Sequence, residues 1–184
     1  MSIQRIHHVA YRCRDAAETV RFYHGLLGMK YTMAISEDRV PSTKEPDPYM
    51  HIFFDAGRGS SLAFFELPNS PAMGRDPSTP AWVQHIALEV KDRKELLARR
   101  RRLRRRGIEV VGPTDHQFIE SIYFFDPNGH RVELTARKGG PALLRKLSRL
   151  APRMLRDWTR GKRTVRHAAF LHRKEFLDPK GTKP

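Results

Sequence analysis

One eight-residue stretch recurs later in the chain, and that repeat constrains the fold more than any other feature. Ile6-His7-His8-Val9-Ala10-Tyr11-Arg12-Cys13 matches Val83-Gln84-His85-Ile86-Ala87-Leu88-Glu89-Val90 at an offset of 77, and Asp15 and Asp92 keep that offset. Self-similarity at a fixed period marks a duplicated structural unit. Both stretches alternate as strands do, with Val9, Tyr11 and Cys13 on one face and Ile86, Leu88 and Val90 on its counterpart. Those faces are expected to bury against a helix. His8 and His85 then lie on the opposite face of each strand, at the same point of the repeat.

A helical segment is expected after each aspartate. In the first copy Ala16, Val20, Phe22, Tyr23, Leu26 and Leu27 lead to a stop at Gly28; in the second Leu96, Leu97 and Leu103 precede Gly107. The end of the unit also repeats. Phe53-Phe54-Asp55 returns as Phe124-Phe125-Asp126, and Phe64-Phe65-Glu66-Leu67 returns as Arg131-Val132-Glu133-Leu134, with four extra residues in the first copy around Gly57-Arg58-Gly59. In this register Phe65 and Leu67, or Val132 and Leu134, face the core. Glu66 and Glu133 then share the face of His8 and His85. The turn-forming stretch 69–80 reads as a linker between a first module, 1–68, and a second, 81–137. The proline-bearing stretch Val40 to Pro48 reads as an irregular loop over the site.

The chain has 184 residues and a net charge of +15. The basicity is local: residues 93–106 carry +8, the tail 138–184 carries +11, and the rest sums to −4. The arginines of 93–106 surround the apolar stripe of an amphipathic helix and read as its solvated face. The single cysteine, Cys13, excludes an intramolecular disulfide and a Cys-x-x-Cys site, which fits a reducing cytoplasm. No long apolar run indicates a membrane partner.

Two imidazoles with one or two carboxylates form a borderline-hard site for Fe(II), Mn(II), Ni(II), Co(II) or Zn(II). His8, His85 and Glu133 alone leave positions open for a bidentate substrate and O2, which favours Fe(II). Adding Glu66 as a fourth ligand favours a Lewis-acid site without redox change. Both branches stay open. His7 faces the helix side and reads as structural. His24, His51, His130, His167 and His172 match no repeat position.

On these residues the stretch 3–137 resembles the vicinal oxygen chelate superfamily, which includes glyoxalase I, extradiol ring-cleaving dioxygenases, fosfomycin-resistance proteins and methylmalonyl-CoA epimerase. The resemblance implies an α+β fold in which two paired βαβββ modules form a curved mixed-sheet cleft, with metal ligands at His8, Glu66, His85 and Glu133. Thr114-Asp115-His116, Ile122-Tyr123, Asp126-Pro127-Asn128-Gly129 and Glu133 fit the extradiol dioxygenase signature. This implies cleavage of a catechol-like substrate by O2 at Fe(II), with His116 and Tyr123 hydrogen-bonding near the metal. Two positions depart from that signature. Ser60-Ser61 stands where such dioxygenases carry a catalytic histidine, and Glu66 stands where they usually carry no glutamate. The glyoxalase I-like alternative is a metal-dependent lyase or isomerase with Glu66 as proton shuttle. The implied partner is a small molecule that chelates the metal through vicinal oxygens, and a homodimer is compatible with it.

In the tail, Leu143, Leu147, Leu150, Met154 and Trp158 recur at helical spacing behind Pro141, with Pro152 expected to kink the segment. The expected role is packing on the enzyme body or on a second subunit. A competing class is an interaction protein that binds nucleic acid or an anionic surface through 93–106 and the tail. Nucleic acid is disfavoured by sparse aromatic interleaving and the absence of a recognition motif.

Overall fold

The computed structural model describes residues 2–74 and 76–171, so the end of the tail, with His172, lies outside the described residues. The first module runs β1 (His8–Cys13), α1 (Ala16–Val20) continued by a π-helical turn (Arg21–Leu26), β2 (Tyr31–Arg39), β3 (Pro46–Gly57) and β4 (Ser60–Glu66). The second runs β5 (His85–Val90), α2 (Arg93–Arg105), β6 (Val111–Asp115), β7 (Ile119–Phe125) and β8 (Arg131–Arg137), and α3 (Pro141–Gly161) follows. Both modules are therefore βαβββ units. Asp15 and Asp92 accept from the backbone N–H of Glu18 and Glu95 and cap the two helices. Gly28 and Gly107 end these segments at φ +72 and +75, where a side chain would be strained.

Each module folds into a four-stranded mixed sheet, ordered β1-β4-β3-β2 and β5-β8-β7-β6, with the first strand parallel to the last. The sheets share no ladder; the modules meet through their helix-covered faces. Phe22 and Tyr23 after α1, Ile52, Phe54, Leu62 and Phe64 of the first sheet, Leu96 and Leu103 of α2, and Ile122, Phe124, Val132 and Leu134 of the second sheet form one buried core. The Asp-Pro-Asn-Gly turn staples this junction. Tyr23 Oη donates to Asp126 Oδ2 at 3.0 Å, Asn128 Nδ2 donates to Thr19 Oγ1 at 3.2 Å, and Asn128 Oδ1 accepts from the Arg14 N–H at 2.9 Å. Burial and the Asp126 carboxylate push the Tyr23 phenol well above its ordinary pKa.

Three sequence expectations change. The stretch expected as an irregular loop is a tight turn closing the β2–β3 hairpin, with the Lys44 N–H on the Val40 carbonyl and the Val40 N–H on the Glu45 carbonyl. The register of β4 also differs. His8 pairs with Ser61 and His85 with Arg131, so the counterpart of Glu133 is Ala63, not Glu66. The last two strands of the modules then repeat at a constant offset of 70, without the four-residue insertion. Finally, His7 is exposed against His8 rather than held on the helix side.

Candidate metal centre

With the helix-covered faces joined in one core, the opposite faces of the two sheets look away from it. The outward face of the second sheet gathers four of the predicted residues. His85 on β5 places Nε2 3.0 Å from Oε2 of Glu133 on β8, whose side chain is nearly buried. Tyr123 pairs with Glu133 in register, and its hydroxyl lies 2.8 Å from Nε2 of His116. The Arg131 guanidinium stacks 4.5 Å over the Tyr123 ring. Burial and the neighbouring Glu133 raise the Tyr123 phenol, so it holds its proton at neutral pH.

The hydrogen bonding at this pair fits a cation. His85 Nδ1 lies 2.9 Å from the Val83 carbonyl oxygen, so Nδ1 carries the donated proton. In the neutral imidazole Nε2 then has only a lone pair, and it faces a carboxylate oxygen at 3.0 Å. Two acceptors at that separation repel unless a proton or a metal ion lies between them. The other oxygen, Glu133 Oε1, is buried without a hydrogen-bond partner. An unsatisfied buried carboxylate oxygen costs several kcal/mol on the order-of-magnitude scale for buried charges. His85 and Glu133 are thus two donors suited to a divalent ion, with a backbone carbonyl fixing the imidazole tautomer from behind.

The remaining predicted residues lie elsewhere. His8 projects from the outward face of the first sheet, where its Nδ1 is 2.9 Å from that of His7 and its ring lies 6.4 Å from His51 and 6.0 Å from Phe53. Among the described residues, no three His, Cys, Asp or Glu side chains are grouped to hold one metal ion. Glu66 is on the opposite face. Leu62 and Phe64 of its strand are fully buried in the core, and period-two alternation puts Glu66 on that same side. Its Oε2 accepts the Ala16 N–H at 2.6 Å, at the start of α1, where a carboxylate is favoured.

Sequence reasoning missed His51 and Arg131. His51 is 9% exposed, stacks on Phe65 at 3.6 Å and leaves Nε2 buried without a partner. Burial and the nearby His8 lower its pKa to about 4. Its register counterpart is Ser121, so comparison of the repeats carried no signal for it.

The family model described as the Glyoxalase/Bleomycin resistance protein/Dioxygenase superfamily matches residues 5–134. The chain is 27% identical over 144 residues to MhqA of Bacillus subtilis (strain 168), whose name assigns it provisionally to the ring-cleaving dioxygenases. That match covers 76% of this chain but only 42% of the relative. Among solved structures, the glyoxalase family protein from Enterococcus faecalis is 26% identical, with a TM-score of 0.53 over 73% of this chain and 99% of that one. The fosfomycin resistance protein FosX from Listeria monocytogenes, solved with Mn(II), is 19% identical, with a TM-score of 0.55 over 79% and 100%.

Proposed function

The chain belongs to the Glyoxalase/Bleomycin resistance protein/Dioxygenase superfamily, and on that premise we propose that it is a divalent-metal-dependent, extradiol-type ring-cleaving dioxygenase for a catechol-like substrate. The observation that carries this reading is the outward face of the second module, where His85 and Glu133 form a ligand pair beside the Tyr123–His116 hydrogen bond. Glu66 is engaged by the Ala16 N–H at the start of α1, which favours the dioxygenase branch over a lyase or isomerase that uses it as a fourth ligand. Two histidines and one carboxylate remain, the ligand set of non-haem Fe(II) oxygenases. Fe(II) is therefore the favoured ion over Mn(II), Ni(II), Zn(II) and Co(II). The partial match to MhqA supports the same activity.

His8 completes the set from a second copy of the chain. One chain offers His85 and Glu133 on one outward face and His8 on the other, and among the described residues neither face groups three ligands. Two copies related by a twofold axis bring unlike faces together twice, which yields two equal sites. The first-sheet face also exposes Met33 and Ile35, at 46% and 38%, which such an interface would cover.

A bound ion supplies positions for both vicinal oxygens of the substrate and for O2. The protein supplies the rest. Tyr123 Oη, kept protonated, donates a hydrogen bond beside Glu133, and His116 Nε2 holds or returns that proton at 2.8 Å. Arg131 adds a positive charge that draws an anionic substrate to this face. Anaerobic reconstitution with Fe(II), followed by oxygen uptake on a catechol panel, tests the proposal. Uptake that is lost in Glu133→Ala and reduced in His116→Ala supports it. Isomerase activity with Ni(II) or Zn(II) and no oxygen uptake refutes it.

A further inference from the structure

The helix α3 lies beyond the family match, and its apolar side is only partly covered: Leu143, Leu147, Leu150 and Met154 are half-buried. None of its residues is buried; Leu144 is 38% exposed, Trp158 46% and Leu155 67%. Its start is tied to the body where the Lys138 and Gly139 N–H groups donate to the Phe118 carbonyl, and the segment after it folds back through His167 on Asp157 and Phe170 under Lys146. Contacts within the chain thus cover this side in part and leave the rest for a second surface. At a period of 3.6 residues, Leu143, Leu147, Leu150, Met154, Leu155 and Trp158 fall within an arc of about 140°. Arg145, Lys146, Arg149, Arg153, Arg156 and Arg160 fill an opposing arc of about 100°. Pro152 lies on the polar side, so the apolar arc runs unbroken for about 23 Å.

We propose that α3 is an in-plane docking helix for an anionic lipid surface, with its leucines and Trp158 entering the headgroup boundary and its arginines engaging lipid phosphates. Three observations select this occupant. First, residues 141–171 hold nine Lys/Arg against one acid, Asp157, a net +8. Asp157 is already engaged by His167 at 2.7 Å and by Arg153, Arg156 and Arg160 within 4.0 Å, so no acid is left to pair with another copy of the helix. Pairing two such segments would bring like charges together, whereas an anionic surface neutralises them. Second, an apolar arc of this length has no counterpart in a nucleic-acid groove, whose binding draws on cations and stacking aromatics. Third, Trp158 lies at the far end of the arc, where an amphipathic ring suits a lipid interface. This is surface association, since no helix among the described residues is long and apolar enough to cross a membrane.

Flotation of the full chain with vesicles tests the proposal. The vesicles are phosphatidylcholine alone, or phosphatidylcholine with about 30% phosphatidylglycerol. Binding is expected only to the anionic vesicles, with release at about 0.5 M NaCl. Each removed cation lowers partitioning about fivefold, so Arg149→Gln with Arg153→Gln lowers it about 25-fold. Leu147→Gln with Met154→Gln lowers it at least tenfold, on the order expected for two lost apolar insertions. In a Trp82→Phe background, Trp158 emission shifts to the blue on anionic vesicles. Equal binding to both vesicle types, or none, overturns the proposal. So does dissociation of an oligomer by the Leu147→Gln, Met154→Gln pair, which assigns the face to a second copy. Duplex DNA binding that survives that pair while vesicle binding is absent assigns the segment to nucleic acid.

Discussion

Glu133→Gln distinguishes a ligand from a structural carboxylate, because the two roles predict opposite changes in stability. Glu133 is 4% exposed, and Oε1 is buried without a partner. In metal-free protein at pH 8, the amide removes a desolvated charge and offers an N–H to the lone pair of His85 Nε2. Loss of the desolvated charge and gain of that hydrogen bond are worth about 1–2 kcal/mol, or roughly 2–8 °C in midpoint for a chain of this size. Metal reverses the order. An ion at a hundred times its Kd stabilises the wild type by about 2.7 kcal/mol, roughly 5–11 °C, and leaves the variant unchanged. Scanning calorimetry with EDTA and with anaerobic Fe(II) should therefore give midpoints that cross: Glu133→Gln above wild type without metal, and below it with metal. A variant that is destabilised in EDTA, or that still gains stability from Fe(II), would refute the assignment.

Glu66→Ala should lose about 1 kcal/mol from the orphaned Ala16 N–H at the start of α1, while metal stoichiometry measured by elemental analysis stays at the wild-type value. Tyr23→Phe leaves Asp126 Oδ2 with Asn128 as its remaining side-chain partner; urea unfolding should show a loss of about 1–1.5 kcal/mol. In alkali, the Cys13 thiol, raised to about 11 by burial, and the Tyr23 phenol, raised by burial and Asp126, both favour the protonated folded state. Their stabilisation is complete below the unfolded pKa values and is lost as pH rises through the folded ones. Stability should therefore decline above about pH 9, less steeply in Cys13→Ala; an unchanged slope in that variant would exclude the thiol.

The two histidine strands were legible because each carries a polar residue at one fixed point among alternating apolar ones. The second-module carboxylate was legible for the same reason: Arg131-Val132-Glu133-Leu134 alternates, and Val132 and Leu134 are indeed in the core. Leu62-Ala63-Phe64-Phe65 is apolar on both faces, so period two supplied no phase. Aligning the glutamates then placed Glu66 three positions from the true counterpart, Ala63. A one-residue change in phase moves a side chain to the other face, and for that reason Glu66 reads as a ligand in sequence and caps a helix in the fold. The route from repeat to site failed at a second level. Matching modules place matching residues on matching faces, but nothing in a linear repeat says which copy of a face meets which. That depends on the helix-covered core between the modules, built from contacts such as Phe22 with Phe124 and Tyr23 with Asp126, which no periodicity encodes.

Subunit complementation bears most directly on a site shared between chains. His8→Ala and Glu133→Ala should each fail to hold the ion as purified proteins. Unfolded together in equal amounts and refolded, they should form mixed dimers in which one site carries both substitutions and the other carries none. Statistical mixing puts half the molecules in this form, so about one quarter of wild-type metal binding and oxygen uptake should return. Full inactivity of the mixture, with mixed dimers present, would contradict assembly of His8, His85 and Glu133 across two copies.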